Sequence, residues 1–489
     1  MRSTPDVVPA HAMAISPDFP ADPADLKRPI SYDAMREFLQ EVSDHHRHIT
    51  LSVAGESVEG RPLYLVHLSH DNQPLNSDWR VFLFGLQHGN EPAGKDALLY
   101  LIREIAQNPG ALPDGVDLWI MPSVNPDGGE ADRRTNSNDF DLNRDHQLLS
   151  QPETQALHAA FRDIMPHAAV DCHEFRRDTG DYLSKGWSEW PIIMMDCGNH
   201  PLCGDPLYEA GLQWVEGAEP AMEAEGHNYT RYYVGSAPPE GELRYSTLDT
   251  DDARNAFAAY GTLSFIIESG VYRGAEDPHA DLHERVQAYL TLLRRFLTYE
   301  GSRIDDRAIV EAARSAAPPR YIPTNVFWGS DGLKVTPVKV VSLETSETLT
   351  VDTPNFMTDR IVKNAVEAPK AYLISSGAAQ TFSTLLKNHG LLYDELDREE
   401  TFTVESVKLE RLEENYDDLY NRYDGRQISS LGEPQPKTFP AGSLRVELSR
   451  RAALLLEPTS LFGLYQWPEY KALVARDGTM PVFREVDAK

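Results

Sequence analysis

The sequence predicts an α/β fold: a mixed, largely parallel, twisted sheet with helices on both faces, followed by a smaller α+β domain. Between residues 30 and 300, apolar segments of strand length alternate with longer segments whose apolar residues recur at helical spacing. Strands interleaved with helices form layered α/β structures whose central strands are buried on both faces. Near residue 315 the composition changes to the proline-rich stretch SAAPPRYIP, which is typical of a domain boundary.

The elements of the first domain are predicted in chain order. The apolar segment 79–87 is too short for a helix and predicts a buried strand. Residues 92–107 carry apolar side chains three and four positions apart, which is the stripe of an amphipathic helix. The remaining apolar patterns predict strands over 117–124, 168–172 and 262–267 and a long amphipathic helix over 281–299.

Composition divides the chain into a flexible leader over 1–29, an α/β domain over 30–315 and an α+β accessory domain over 320–489. The leader is rich in proline and has no continuous apolar region of a secretory signal, so we expect a cytoplasmic protein. In the last part, the patterns predict strands over 333–343, 344–351 and 370–374, a helix over 378–388, and a solvated helix or loop in the acidic, tyrosine-rich stretch 412–423.

The charge balance excludes several classes of partner. Among 489 residues, 46 lysines and arginines stand against 76 aspartates and glutamates, a net charge of −30. A surface this acidic repels phosphate backbones and anionic lipids, so we expect no nucleic-acid partner and no membrane partner. The three cysteines cannot form a disulfide framework and are expected as free thiols. The oligomeric state stays open.

The first candidate for chemistry is the sequence HGNE, which directly follows the predicted strand 79–87. His88 and Glu91 are spaced so that both side chains can reach one metal ion. Pro92 suits the first position of the helix that follows, so the pair lies in a turn at the carboxyl end of a buried strand. Ligands of α/β sheets bind at that end.

A third candidate ligand, His173, follows the predicted strand 168–172. Together with His88 and Glu91 it gives the three protein ligands and one open position that a catalytic zinc needs. We therefore expect one Zn²⁺ per chain. If the strand continues, Cys172 and Glu174 lie on the opposite face from His173, and Glu174 is expected to have a structural role. A hydrogen-bonded core histidine is the alternative for His173.

Two further features fit a hydrolytic site. The loop 133–144 is dense in arginine and asparagine, which bind carboxylates and oxyanions, although a solvated polar loop is the alternative. Glu268 ends the apolar run SFIIE. A glutamate at the mouth of a buried strand beside zinc can act as general base toward a metal-bound water.

These motifs resemble those of the zinc metallocarboxypeptidases of the M14, or funnelin, type. The resemblance spans roughly residues 30–300 and rests on motifs in a fixed order: GESVEGR at 55–61, HGNE at 88–91, NPDG at 125–128, the arginine and asparagine loop, and the strand-end histidine and glutamate. The stretches KAYLIS, LLKNHGL and FPAGS resemble the C-terminal extension of a larger bacterial branch of the family.

The resemblance implies a role for each matching residue. The zinc ligands match His88, Glu91 and His173, and the general base matches Glu268. The arginine that polarises the scissile carbonyl matches Arg134, with Arg133 as the alternative. The remaining matches are Asn143 and Arg144, which grip the substrate's terminal carboxylate, and Asp141, which orients the first zinc histidine.

Two family features are not fixed by the motifs. The mobile tyrosine of the family's cleft has three candidates here, Tyr245, Tyr233 and Tyr232. Arg254 lies near the position that forms the base of the specificity pocket in the resembling enzymes, and would there favour acidic C-terminal residues. The alternative for Arg254 is an ion pair with Asp251 or Asp252.

The sequence therefore predicts a zinc-dependent metallocarboxypeptidase, a hydrolase that releases the C-terminal residue of peptides. The alternative enzyme is a zinc-dependent N-acyl amino acid deacylase similar to succinylglutamate desuccinylase and aspartoacylase. In both cases the substrate, a peptide or an N-acyl amino acid, carries a free carboxylate. A non-catalytic peptide-binding protein is the third possibility, but the full set of ligands and the glutamate argue against it.

Overall fold

The computed structural model describes residues 19–70, 79–298, 303–330, 332–413, 416–417, 422–423, 426–461 and 463–487. Its largest sheet has eight strands in the order β1-β2-β4-β3-β5-β11-β7-β8. Eleven strands lie before residue 272: β1 Ile49–Glu56, β2 Pro62–Leu68, β3 Trp79–Gly85, β4 Val116–Met121, β5 Ala168–Arg176, β6 Trp187–Glu189, β7 Ile193–Cys197, β8 Tyr229–Arg231, β9 Tyr233–Gly235, β10 Leu243–Tyr245 and β11 Leu263–Val271.

The sheet is mixed, with a parallel centre. Strands β4, β3, β5 and β11 run parallel to one another, whereas β2 joins β4, β1 joins β2 and β7 joins β11 by antiparallel pairs. Parallel strands must be covered on both faces. Successive side chains of β3 confirm this, because Val81 and Leu83 enter one apolar core and Phe82 and Phe84 enter another.

The helices pack on these two faces. Pro92 is the first residue of helix α2 (Pro92–Gln107). Ser31 caps helix α1 (Tyr32–His45) by accepting a hydrogen bond from the Ala34 amide at 3.3 Å. Residues of α1, α2, α6 and α9 share one core, and residues of α4 and α8 share the other. The helices before residue 316 are α1 Tyr32–His45, α2 Pro92–Gln107, α3 Pro126–Glu130, α4 Pro152–Ile164, α5 Gly180–Ser184, α6 Asp205–Gly217, α7 Glu219–Ala224, α8 Ala253–Ala258, α9 Leu282–Thr298 and α10 Arg303–Ser315.

The C-terminal part is rich in strands. Its six-stranded sheet has the order β18-β25-β17-β26-β19-β24. The strands are β12 Tyr321–Gly329, β13 Thr336–Ser342, β14 Thr348–Thr353, β15 Phe356–Met357, β16 Asp359–Glu367, β17 Ala371–Ile374, β18 Asp394–Glu395, β19 Glu400–Glu405, β20 Val407–Glu413, β21 Tyr416–Asp417, β22 Arg422–Tyr423, β23 Arg426–Leu431, β24 Gln435–Phe439, β25 Leu444–Glu447 and β26 Val482–Glu485. Three helices complete it: α11 Ala379–Asn388, α12 Arg450–Leu456 and α13 Pro468–Lys471.

The two parts of the chain share strand pairs across the predicted boundary. Strand β13 pairs with β6, and β15 pairs with β10. Leu148 of the first part belongs to the apolar core of the C-terminal part. The division of the chain near residue 315 stays a prediction, but the segment after it completes sheets that begin before it.

Two local predictions are wrong. The leader is packed at Phe19, which is fully buried against Phe38 and Tyr100 and lies under the Arg103 guanidinium. Burying such a ring is worth about 1.5–3 kcal/mol, which fixes the chain there. Residues 1–18 of the leader lie outside the described residues. In the acidic stretch 412–423, the described residues form strand rather than helix or loop, since the end of β20 pairs with β23.

Cys172, Cys197 and Cys203 are buried free thiols, as expected. Among the described residues, no helix has the length and apolar character needed to cross a bilayer.

Candidate active site

The site begins where two turns interlock at the carboxyl ends of β3 and β4. The Asn125 amide donates to the Gln87 carbonyl at 3.0 Å and accepts from the Gly128 amide at 2.9 Å. Gly89 lies directly against Gly128, and a Cβ at position 89 would lie 2.0 Å from the Gly128 carbonyl carbon. No side chain fits at that distance, so the HGNE and NPDG turns form one rigid unit.

Three candidate ligands converge on this unit. His88 Nδ1 lies 2.9 Å from Glu91 Oε1, and His173 Nδ1 lies 2.9 Å from Glu91 Oε2. The two Nδ1 atoms are 3.0 Å apart, and one donor atom from each of the three residues lies within 4.8 Å of the others. The predicted ligands are therefore brought together, and all three are buried.

The outer nitrogens of both histidines face carboxylates. His88 Nε2 donates to Asp141 at 3.0 Å, as predicted, and His173 Nε2 donates to Asp171 at 2.8 Å. With the protons on Nε2, both Nδ1 atoms present lone pairs toward each other and toward the Glu91 carboxylate. A cluster made only of acceptors needs a cation at its centre, so the donor set fits a zinc ion held by two histidines and a glutamate.

The sequence reasoning missed Asp171. The signal was available, because Asp171 lies two residues before His173 on the same strand and therefore on the same face. The pKa values agree with a site that favours positive charge. Burial would lower the pKa of His173, but Asp171 and Glu91 raise it well above its usual value. Burial would raise the pKa of Glu91, but His88 and His173 hold it well below its usual value.

Glu268 lies beside this cluster. Strands β5 and β11 are paired in parallel, and Glu268 is opposite His173 in the register. Both strands continue for three more residues, to Arg176 and Val271, so the two side chains project from within strands rather than from the predicted strand ends. Burial raises the pKa of Glu268 to about 8, and the neighbouring His173 acts in the opposite direction.

The structure selects among the three tyrosines. Tyr232 is a close neighbour of the Glu268 carboxylate and lines the same cavity. Burial and the negative charge of Glu268 raise the pKa of Tyr232 well above its usual value, which keeps the hydroxyl protonated as a donor. Tyr245 instead packs over Arg231, 3.7 Å from the ring centre to the guanidinium carbon, and Tyr233 lies beside Tyr182.

Arg134 rather than Arg133 reaches the site. Arg134 donates to Asp141 at 2.9 Å and lies 3.4 Å from Glu91 Oε1, next to the ligand cluster. Arg133 forms a surface pair with Asp139. Of the two candidate arginines, Arg134 is therefore the one that lies next to the ligand cluster.

Asn143 and Arg144 form a short 3₁₀ turn, Leu142–Arg144, at the edge of the cavity. The Asn143 amide oxygen accepts from the Ala253 amide at 3.0 Å, and its nitrogen lies 3.1 Å from His173 Nε2. Burial lowers the pKa of Arg144, but carboxylates around it, chiefly that of Asp251, outweigh this and raise it. Both residues line the cavity, but each is already engaged with the protein.

Arg254 is buried and held by the protein itself. It pairs with Asp252 at 2.8 Å, donates to the Thr247 carbonyl at 2.6 Å and hydrogen-bonds the Ser246 hydroxyl. Asp196 lies at 4.0 Å. The alternative considered for Arg254, an ion pair with a neighbouring aspartate, is what the structure shows.

Most of the predicted site residues line one cavity of about 750 Å³: His88, Glu91, Arg134, Asn143, Arg144, Arg254 and Glu268. Its wall includes members of the ligand cluster, Glu268 and Tyr232. A cavity of this size accommodates a small peptide end or a substituted amino acid.

Comparison with known proteins finds a similarity to one family of enzymes. Residues 35–232 match the family model described as Peptidase_M14, zinc carboxypeptidase. The similarity to peptidase family M14 therefore covers this segment, about two fifths of the chain. The matched segment contains the three candidate ligands and Arg134, and it ends before Glu268.

Individual carboxypeptidases are similar to this chain over a limited stretch. "Carboxypeptidase 2" of Trichophyton rubrum is 33% identical over 155 residues, covering 30% of this chain and 29% of that protein. "Carboxypeptidase SOL1" of Arabidopsis thaliana is 34% identical over 156 residues, covering 29% of this chain and 31% of that protein. The chain thus aligns with about three tenths of the length of these curated relatives. Among solved structures, a metallo-carboxypeptidase from Burkholderia cenocepacia has a TM-score of 0.44 at 20% identity, covering 57% of this chain and 70% of that one.

Proposed function

We propose that this chain is a zinc-dependent carboxypeptidase of the M14 type that removes the C-terminal residue of peptides. The observation that carries the proposal is the convergence of His88, Glu91 and His173 beside Glu268, where His88, Glu91 and Glu268 line one cavity. The matches to carboxypeptidases support the peptidase and do not favour the deacylase alternative.

His88 Nδ1, His173 Nδ1 and a Glu91 carboxylate oxygen would hold the zinc ion. When bound, the ion supplies Lewis-acid chemistry that makes water acidic near neutral pH and polarises a carbonyl. Asp141 and Asp171 fix the tautomer and the ring orientation of the two histidines. One ion per chain is expected from the three-residue ligand set.

Glu268 is the general base in this proposal. It accepts a proton from the attacking water and then delivers it to the leaving amine, so a single carboxylate serves both steps. Tyr232, its close neighbour, is proposed to donate to Glu268 and thereby to hold the carboxylate in position. Burial raises the pKa of Glu268 to about 8, closer to neutral pH than that of an ordinary glutamate, which suits a group that both takes up and releases a proton.

Arg134 stabilises the oxyanion that forms on the scissile carbonyl, because it is the guanidinium nearest the ligand cluster. Asn143 and Arg144 bind the free carboxylate of the peptide end. An anchored carboxylate at a fixed distance from Glu268 restricts cleavage to the last peptide bond.

The decisive experiment replaces Glu268 with glutamine, which has the same shape but accepts no proton. The zinc-loaded Glu268→Gln variant is expected to keep one zinc per chain and to lose about 10²–10⁴-fold in kcat on a C-terminal peptide substrate. The matched control is Glu189→Gln, because Glu189 is also a buried glutamate on the cavity wall but lies outside the ligand cluster.

Peptides and N-acyl amino acids are assayed side by side, with metal content measured on the same samples. The control variant is expected to stay within about threefold of wild type. Full turnover by the glutamine variant at position 268 would remove the general-base role. Hydrolysis of N-acyl amino acids without any peptide cleavage would replace the carboxypeptidase with the deacylase.

A further inference from the structure

The arginines that line the cavity are not equivalent. Six of them do so, and five have a carboxylate within 4.0 Å: Arg134 with Asp141, Arg144 with Asp251, Arg176 with Asp178, Arg254 with Asp252 and Arg273 with Glu174. Within the described part of the chain, Arg244 has no carboxylate at that distance. Its longer-range charged neighbours include Asp249 and Glu242.

The fold directs Arg244 to the cavity side of strand β10. The strand pairs with β9, so that Arg244 is opposite Val234. Its neighbours Leu243 and Tyr245 belong to a small apolar core with Phe356. Because side chains alternate along a strand, Arg244 lies on the other face, where it lines the cavity.

Few of the Arg244 donors are used by the protein. The guanidinium donates from Nη1 to the Tyr245 carbonyl at 3.0 Å, and no other hydrogen bond from it is present among the described residues. A guanidinium has five N–H donors in a planar fork. Burial also lowers the pKa of Arg244, which shows that the charge is partly removed from water without a compensating ion pair.

Arg244 lies on the same wall as the proposed catalytic groups. Tyr232, a neighbour of Glu268, has Arg244 among its charged neighbours. Asp249 is a charged neighbour of both Arg244 and Arg144, and all three residues line the same cavity. A substrate residue bound in this cavity therefore has both guanidinium groups on the walls around it.

We propose that Arg244 is a specificity-determining residue that binds an acidic side chain on the terminal residue of the substrate. This inference rests on the proposed carboxypeptidase function and deepens it. Peptides ending in glutamate or aspartate carry two carboxylates on their last residue, and the cavity offers Arg144 for one and Arg244 for the other. Arg254, in contrast, is already neutralised by Asp252 and has the structural role of holding the segment after β10.

The test compares peptides that differ in the last residue alone: glutamate, its neutral isostere glutamine, and leucine. Wild type is expected to prefer the glutamate peptide over the glutamine peptide by about 10- to 100-fold in kcat/KM, because a charge-assisted pair is available. Arg244→Gln is expected to remove that preference and to leave the leucine peptide within about threefold. Arg176→Gln, at a paired and half-exposed arginine on the same cavity, is the matched control and should keep the preference.

The outcomes separate this inference from the function it rests on. Cleavage of all peptides with no change in the glutamate-to-glutamine ratio in Arg244→Gln would overturn the inference and keep the carboxypeptidase. An equal loss on all three peptides would also overturn it, because Arg244 would then bind the terminal carboxylate. If no peptide is cleaved, calorimetry with N-acetylglutamate and N-acetylglutamine decides: a preference that disappears in Arg244→Gln supports the acidic subsite, and equal affinities overturn it.

Discussion

Two buried histidine clusters lie side by side in this molecule, and they differ in what surrounds them. In the ligand cluster, the outer nitrogens of His88 and His173 each donate to an aspartate. In the second cluster, His146 bonds His158 at 2.9 Å, and His389 donates to the Gln147 carbonyl at 2.9 Å. Within the hydrogen bonds described, no carboxylate serves the second cluster.

The difference shows in the pKa values. Burial lowers the pKa of His146 to about 3 and that of His389 to about 4, so both are neutral. In the ligand cluster, the negative partners reverse that effect for His173. Burial by itself therefore makes a neutral core histidine, and outer carboxylates convert the same residue type into a cation site.

The largest expected effect is on zinc affinity, which should depend on the ligand cluster and not on the second cluster. His173→Gln is expected to lose at least about 100-fold in zinc affinity, because one of three ligands is removed. His158→Gln is the matched variant, a buried histidine of the second cluster, and is expected to keep one zinc per chain. Zinc content after dialysis and affinity by chelator competition measure both. Comparable losses in the two variants would show that the clusters act as one site.

A smaller effect is expected from the outer carboxylate. Asp171→Asn is expected to weaken zinc binding by about 10- to 100-fold, because the amide no longer fixes the His173 tautomer by charge. Asp145→Asn is the control, since Asp145 is also buried but accepts hydrogen bonds from Ser150 and Gln151. An unchanged zinc affinity in the Asp171 variant would contradict the distinction drawn between the clusters.

The smallest effect concerns stability and pH in the second cluster. The pKa of His389 is about 4 in the folded chain, against an ordinary 6.5 when unfolded. As pH falls below 6.5, His389 binds a proton in the unfolded state but stays neutral in the folded state. The contribution of neutral His389 to the free energy of unfolding is therefore complete above pH 6.5 and is lost as pH falls toward 4. This group should lower the free energy of unfolding by about 2 kcal/mol between pH 7 and pH 5.

The measurement is denaturant unfolding of wild type and His389→Gln at both pH values. The variant is expected to lose less stability than wild type over this interval, whatever its stability at pH 7. Equal losses would mean that His389 is not the neutral, buried group that the structure shows.

The sequence predicted the ligand set because its signals are local. His88 and Glu91 share one turn, and His173 follows an apolar strand that is recognisable without its neighbours. The lengths of β5 and β11 could not be predicted in the same way, because the apolar runs that mark them stop at His173 and Glu268 and the residues beyond become strand through pairing with each other. The end of strand β20 was missed for the same reason, since β23 decides its conformation.

Residues whose role depends on tertiary structure could not be identified from the sequence. Nothing local distinguishes Tyr232 from Tyr233 or Tyr245. Which of the three tyrosines lies next to Glu268 depends on how the short strands around them pack in the folded chain. Arg244 lies in a three-residue strand with no pattern to reveal it. Arg254 drew attention by its spacing alone, and its ion pair with Asp252 could be judged only in the folded chain.

The backbone contact between Gly89 and Gly128 has a consequence for engineering. The two turns touch without any side chain between them, so neither can be moved or redesigned separately from the other. Transplanting the ligand turn onto another scaffold would require grafting both segments as one block, with their hydrogen bonds from Asn125. The intervening helix α2 and strand β4 are buried almost throughout, so the block would also need a scaffold with a matching core. In a library of variants, tolerance to substitution should fall sharply at both glycines together.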